Sequence, residues 1–200
     1  DSHRRQRQMC IRDSLEAVKE SKSDDAQAQL SFSGRTMGYQ LAMNQAIGLG
    51  VLDDQMAAIR DLNRNLEFRK AVKHAIDGKA FAKAMSKGPF VTVYAGGLAR
   101  DSAFFDADAT SFFPYNPAGA NSILDGLGLI DTDGNGIRNL PNGGGDLVIN
   151  LVQNKGSDNE MLIGDGMATM MAEVGIKINI KPMEDTEPTR QAGEWDWLLV

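Results

Sequence analysis

Cysteine is almost missing from this sequence: of 200 residues only Cys10 carries a thiol, and histidine occurs only at positions 3 and 74. A disulfide framework is therefore excluded, and because Cys10 lies in an atypical opening segment, so is a cysteine nucleophile in the body of the chain. Two histidines and one thiol cannot furnish a structural zinc site. His74 sits on an amphipathic helix beside Lys70 and Lys73 and reads as a structural histidine, not a general base. No run approaches the ~20 apolar residues of a membrane-spanning helix. No serine stands in a nucleophile elbow, no Gly-Lys-Ser/Thr follows Gly143 to Gly145, and no Gly-x-Gly-x-x-Gly follows a strand. Serine hydrolysis, phosphate-loop chemistry and dinucleotide binding are set aside together. The paired carboxylates Asp53-Asp54 and Glu184-Asp185 stand in polar surroundings, which would not raise a pKa as a glycosidase acid requires.

What is present is enough apolar residue, 42%, for one sizeable core, in a chain of net charge -6. That charge argues against general nucleic-acid binding. The first fourteen residues stand apart: Arg4, Arg5, Arg7 and Arg12 against Asp1 and Asp13 give them a net +2, so the remainder carries -8. Lacking any apolar period, residues 1–14 are expected to be non-native or disordered and are left out of the fold. Neither end has the look of a natural terminus, so the missing export signal carries no weight. A cysteine-free body suits an exported bacterial protein without disulfides, and a cytosolic one equally.

Along the body, Met37, Tyr39, Leu41 and Met43 alternate as one side of a strand. A short helix from Asp53 to Leu62 follows. Asn65 then caps a clear helix on which Phe68, Ala71, Val72, Ala75 and Ile76 recur at 3.6-residue spacing. A second short helix has Phe81, Ala84 and Met85 inward and ends at Gly88-Pro89. Residues 89–115 hold a short strand at Val91 to Tyr94 within a long aromatic-rich loop, which either covers a ligand cleft or packs on a second lobe. Asn116-Pro117 opens another helix with cap and N1 proline in the favoured order. In the last third, residues 147–152 are apolar on both faces, as in a central strand. Asp158 caps a helix with Ile163, Met167, Met170, Met171 and Val174 inward, and Ile176, Ile178 and Ile180 form the next strand, stopped at Pro182. A helix of that length between two strands makes them parallel neighbours in a right-handed βαβ unit. A helix near Glu187 to Ala192 and a strand from Trp195 complete the series.

The segment "DTDGNG" opens like a calcium loop, with Asp131, Asp133, Asn135 and Gly136 in register. Position 12, however, is Asn142 rather than a bidentate Glu, and Pro141 with Gly143 to Gly145 breaks any exiting helix. A multiple turn is the preferred reading, since Asp and Asn bond their own main chain and Gly134 and Gly136 supply positive φ.

Four stretches in order resemble the family 5 solute-binding proteins of ABC importers, whose members capture peptides, nickel complexes or sugars. "NRNLEFRKAVKHAIDGKAFAKAM" carries the family's Arg-x-Ala and Ala-Ile-Asp at Arg69, Ala71, Ala75, Ile76 and Asp77. "YNPAGANSILDGLGLIDTDGNGIRN" is similar to its Tyr-x-Pro-x-x-Ala helix leading into an Asp-x-Asp-Gly turn. "MATMMAEVGIKINIKPM" resembles its helix, Val-Gly-Ile and strand, and "GEWDWLLV" its Gly-x-x-Asp strand.

The resemblance implies an α/β fold: the incomplete second lobe of a two-lobed periplasmic binding protein, a mixed sheet with a βαβ unit flanked by helices. Residues 15–45 would be the hinge and crossing-strand region and 46–200 the partial second lobe. The implied function is non-enzymatic capture of a small solute, a peptide-like ligand first, for delivery to a membrane permease. The protein would be periplasmic, or lipid-anchored outside a Gram-positive cell, and monomeric, with no cofactor, no metal and no nucleic-acid partner. Tyr39, Leu41, Met43 and Asn44 on the crossing strand are the implied ligand contacts. The alternative is a calcium-binding extracellular module built on Asp131, Asp133 and Asn135.

Overall fold

A computed structural model describes residues 39–85, 104–106, 108–109 and 113–200. The expectations for residues 1–38, for the strand at Val91 to Tyr94 and for most of the aromatic loop lie outside these. The described residues fall into two units, one holding 39–77 and 113–200, the other holding 78–85 and the few residues near 104–109.

The first unit is built on a four-stranded mixed sheet. Its strands are β1 (Leu41–Met43), β2 (Val148–Asn154), β3 (Lys177–Met183) and β4 (Trp197–Leu199), in the spatial order β1-β4-β2-β3. β2 pairs in parallel with both β3 and β4, while β1 runs antiparallel to β4. The two strands β2 and β3 are parallel neighbours, as the expected βαβ unit requires, with Ile149 opposite Ile178 and Leu151 opposite Ile180. Leu147, Ile149, Leu151 and Val152 are buried, as suits a strand flanked on both sides. β3 is an edge strand. It therefore runs through Pro182 to Met183 instead of stopping there, because a proline facing away from the ladder breaks no bond. Lys177, Asn179 and Lys181 on β3 are exposed.

Helices α1 (Asp54–Arg64) and α2 (Leu66–Ala75) follow β1. The Asp53 carboxylate accepts from Met56 N at 2.7 Å, and the Asn65 side chain accepts from Glu67 N at 2.9 Å, capping each in turn. Phe68, Ala71, Val72 and Ala75 are buried, whereas Ile76 is the C-terminal cap of α2 and only half-buried. In the second unit α3 (Gly78–Met85) buries Ala82, with Phe81 and Met85 half-buried and Ala84 exposed, so its inward face is turned from the expected one. α4 (Pro117–Gly126) is capped by Asn116, which accepts from Gly119 N at 3.0 Å, and it packs on α2.

α5 (Asp158–Ala172) crosses from β2 to β3 and buries Ile163, Gly164, Met167 and Met171 against them. Its cap is Ser157, one residue before the one expected: Ser157 Oγ accepts from Glu160 N at 3.3 Å, and Asp158 occupies the first turn, where the helix dipole favours a carboxylate. A short α6 (Glu187–Ala192) ends at Gly193, whose φ of 75° suits glycine, and leads into β4.

Trp197 is the largest buried side chain, its ring tilted against Phe68 at 6.5 Å between centroids and its Nε1 donating to Asn63 Oδ1 at 2.9 Å. Truncating a buried ring of this kind costs about 3–5 kcal/mol. Beside it, the buried Arg60 guanidinium donates to the carbonyls of Leu49 at 2.7 Å, Ala46 at 3.1 Å and Gly193 at 2.5 Å. It thereby fastens the loop after β1 to the turn before β4. Asn63 donates to the carbonyls of Asn44 and Asp196, at 2.9 and 3.3 Å. Buried side chains from α1 thus supply the partners that main-chain groups at this joint would otherwise lack.

Candidate functional site at the C-terminal edge of the sheet

The parallel pairs define a carboxyl edge, and the chain passes from β2 outward to β3 and then back across β2 to β4. This reversal is a topological switch point, the place where open α/β sheets take ligands. Because β1 is antiparallel to β4, the residues before β1 arrive at the same edge. Gln40 N donates to Val200 O at 2.8 Å, and Val200 N returns a bond to Gln40 O at 3.1 Å. Tyr39 follows just outside this pair. Its phenol oxygen accepts a hydrogen bond from Asn159 Nδ2 at 2.9 Å, in the first turn of α5, and both residues are half-buried.

Around them the edge is polar and its side chains are tied into hydrogen bonds. Glu160 Oε2 accepts from Asn154 N at 2.8 Å, and Asn154 Oδ1 accepts from Gly156 N at 2.8 Å. Lys155 N donates to Met183 O at 2.9 Å, and its ammonium pairs with Glu184 at 2.5 Å. The result is a surface offering hydroxyl and amide groups, with Lys155 and Glu184 paired beside them. Such a surface suits a neutral, hydroxyl-bearing solute better than one recognised by its charged ends.

The four residues expected to contact ligand do not form one cluster. Leu41 and Met43 are half-buried and paired with Leu199 and Trp197. Asn44 stands at the far end of β1, roughly 16 Å from Tyr39 for five extended residues. Only 5% of it is exposed: its Nδ2 donates to Gly193 O and Trp195 O, both at 3.1 Å, and its Oδ1 accepts from Ala46 N at 3.0 Å. Its amide is committed to holding the backbone. Asn154, Ser157, Asn159 and Glu160 were not anticipated at the edge, although Ser157 and Glu160 have capping-box spacing, which would have marked a helix start there.

The DTDGNG segment is a turn closed by its own hydrogen bonds. Asp131 accepts from Gly134 N at 2.7 Å and Gly136 N at 2.9 Å, and these bonds, Gly136 first, hold its carboxyl below the usual range. Asn135 Nδ2 donates to Asp133 at 3.1 Å and to Asp146 at 3.2 Å, so an amide nitrogen lies between those carboxylates. The chain leaves through a bridge at Asn139 and a 3-10 turn, Pro141–Gly143, where a calcium hand needs a helix. Among the described residues no group of three or more His, Cys, Asp or Glu is placed to hold a metal. His74 is structural: its Nδ1 lies 2.8 Å from Pro114 O and its ring meets Phe113 edge-on at 5.7 Å.

The model of the bacterial extracellular solute-binding proteins, family 5 Middle, matches residues 9–200. The chain belongs to this family. The family 5 chain is 36% identical over 191 residues to the periplasmic alpha-galactoside-binding protein of Rhizobium meliloti (strain 1021), covering 92% of this chain and 28% of that protein. It is 35% identical to the periplasmic binding protein MelB of Agrobacterium fabrum C58, solved in complex with stachyose. That match has a TM-score of 0.81 and covers 94% of this chain and 29% of that one. The mannohexaose-bound periplasmic oligopeptide-binding protein of Thermotoga maritima, 21% identical with a TM-score of 0.63 over 81% of this chain and 29% of that one, shares the fold. The chain thus spans less than a third of the length of these proteins. The α/β fold with a mixed sheet, matching part of a periplasmic binding protein, stands as the resemblance implied. So does the periplasmic location, which both nearer relatives share.

Proposed function

We propose that this family 5 chain is part of the solute-capturing component of an ABC importer and that its ligand is an α-galactoside oligosaccharide. The reading rests on identity above one third to an alpha-galactoside-binding protein and to a stachyose-bound one. The hydroxyl- and amide-bearing edge at Tyr39, Asn154 and Asn159 supports it, and with the two relatives is the reason we favour an oligosaccharide over the peptide-like ligand first expected. Tyr39 is the ligand contact on the crossing strand, Leu41 and Met43 support it from the sheet, and Asn44 anchors the strand's other end. Ligand held between this unit and a second lobe shifts an open-closed equilibrium by its contacts with both, and the closed form is what a membrane permease receives.

Calorimetry on a polypeptide of the relatives' length that contains this chain tests the proposal. Stachyose is expected to bind at about 1 μM or tighter, near -8 kcal/mol, and a neutral tripeptide is not. Tripeptide binding without stachyose binding overturns it. The 200-residue chain alone is expected to bind more weakly than about 1 mM, since one cleft wall contributes only part of the contacts.

A further inference from the structure

We infer that Asn159 is a specificity-setting positioning residue: by donating to the Tyr39 phenol oxygen it leaves the Tyr39 O–H as an outward-facing donor for an acceptor oxygen of an uncharged ligand. The inference rests on the proposed solute-binding reading and names the chemistry of its edge. A phenol O–H both donates its one proton and accepts at its oxygen. Asn159 Nδ2, at 2.9 Å, fills an acceptor position and leaves the proton uncommitted. Asn159 is itself held in place, because Ser157 caps α5 and Glu160 ties the same turn to the end of β2 through Asn154 N. Gln40 and Val200 fix the backbone next to Tyr39 with a reciprocal pair of bonds. The donor is therefore mounted between two anchored elements, and its direction is set before ligand arrives.

Charge selects the class of acceptor. The ammonium of Lys155, just after β2, is paired with Glu184 at 2.5 Å, and the Glu160 carboxylate is bonded to main chain. Asp158, at the start of α5, adds negative charge to the rim. A ligand carboxylate at this turn would meet the carboxylates of Asp158 and Glu160. A ring or hydroxyl oxygen of a saccharide accepts the phenol proton without that cost.

The test reverses the Tyr39–Asn159 bond in a polypeptide of the relatives' length. Asn159→Asp can only accept, so it draws the phenol proton inward and takes the donor from the ligand. Its affinity for stachyose is expected to fall about tenfold, the value of one hydrogen bond, and to match that of Tyr39→Phe. In the Tyr39→Phe background, Asn159→Asp is expected to add no further loss. Additive losses would show that the new charge acts independently of Tyr39, and unchanged affinity in Asn159→Asp would show that the phenol proton is not used; either overturns the inference. A thermal melt of each variant confirms folding, and Asn159→Gln, which keeps an amide donor, is expected to retain more affinity than the Asp variant. If the wild type binds mannohexaose but not stachyose, the proposed α-galactoside ligand fails, and the same four variants titrated with mannohexaose then support or overturn the inference by the same pattern.

Discussion

Gly164 on α5 lies so close to Gln153 on β2 that a Cβ at 164 would stand 1.8 Å from Gln153 Oε1. The two residues are buried, and Gln153 Nε2 is already turned toward Met161 Sδ at 2.9 Å, which leaves the side chain no route outward. Helix propensity alone favours Gly164→Ala by about 1 kcal/mol. Overpacking costs about 1–3 kcal/mol, so the variant is expected to be less stable in urea unfolding. Adding Gln153→Ala should recover part of the loss; a stabilised single variant would contradict this packing.

Arg60 offers a second test. Its guanidinium serves main-chain carbonyls from two separate segments, and a lysine ammonium has neither the planar fork nor the span to reach them together. Arg60→Lys is expected to cost about 2 kcal/mol through unsatisfied buried carbonyls. In a chain of this size that lowers the melting temperature by roughly 4–8 °C. Differential scanning calorimetry would read it directly.

Asp196 gives stability a pH dependence of known sign. Burial pushes its carboxyl up, against the hydrogen bonds from Asn150 and the charge of Arg60, with Asp53 adding to the rise. A raised carboxyl favours the protonated folded state. Its contribution is therefore fully present below the unfolded value of 3.8 and is lost as pH rises through the folded value. Asp196→Asn cannot ionise. The melting temperature of the variant relative to wild type is expected to rise as pH is raised from about 4 to 8; a difference that stays flat would mean that Asp196 titrates normally.

Calcium should leave the protein indifferent. A genuine site stabilises by about 2.7 kcal/mol at one hundred times its dissociation constant. With the DTDGNG turn already closed by Asp131 and Asn135, addition of calcium to about 5 mM is expected to shift the melting temperature by less than roughly 1 °C. A shift of several degrees, abolished by Asp131→Ala, would reinstate a metal site.

The βαβ unit was legible because its information is local. The apolar run at 147–152 and the alternation at 176–180 each state a strand, and the length of α5 leaves a parallel crossover as the simple connection. β4 was legible as a strand, but not its seat between β1 and β2, since short strands carry no record of their neighbours. Asn44 shows the limit most clearly. Its residue type and its place on a crossing strand suit ligand contact, yet its amide is spent on Gly193 and Trp195, about 150 residues away in sequence. No pattern near Asn44 announces those partners. Tyr39 was legible as a candidate, whereas Asn159 was not, because nothing local links it to a residue 120 positions earlier.

The seat of β4 also dictates an order of assembly. Among the described residues β1 pairs with Trp197–Leu199 alone, so this pairing forms only once the residues after 196 have emerged. The β2-α5-β3 unit can form earlier from neighbouring sequence, and Arg60 and Asn63 on α1, which bond Leu49 and Asn44 locally, gain their remaining carbonyl partners only when residues 193 and 196 arrive. Nascent chains arrested before residue 197 should accordingly lack the β1–β4 pairing, and Leu41 to Met43 should be cut by proteases faster in them than in chains from which β4 has emerged.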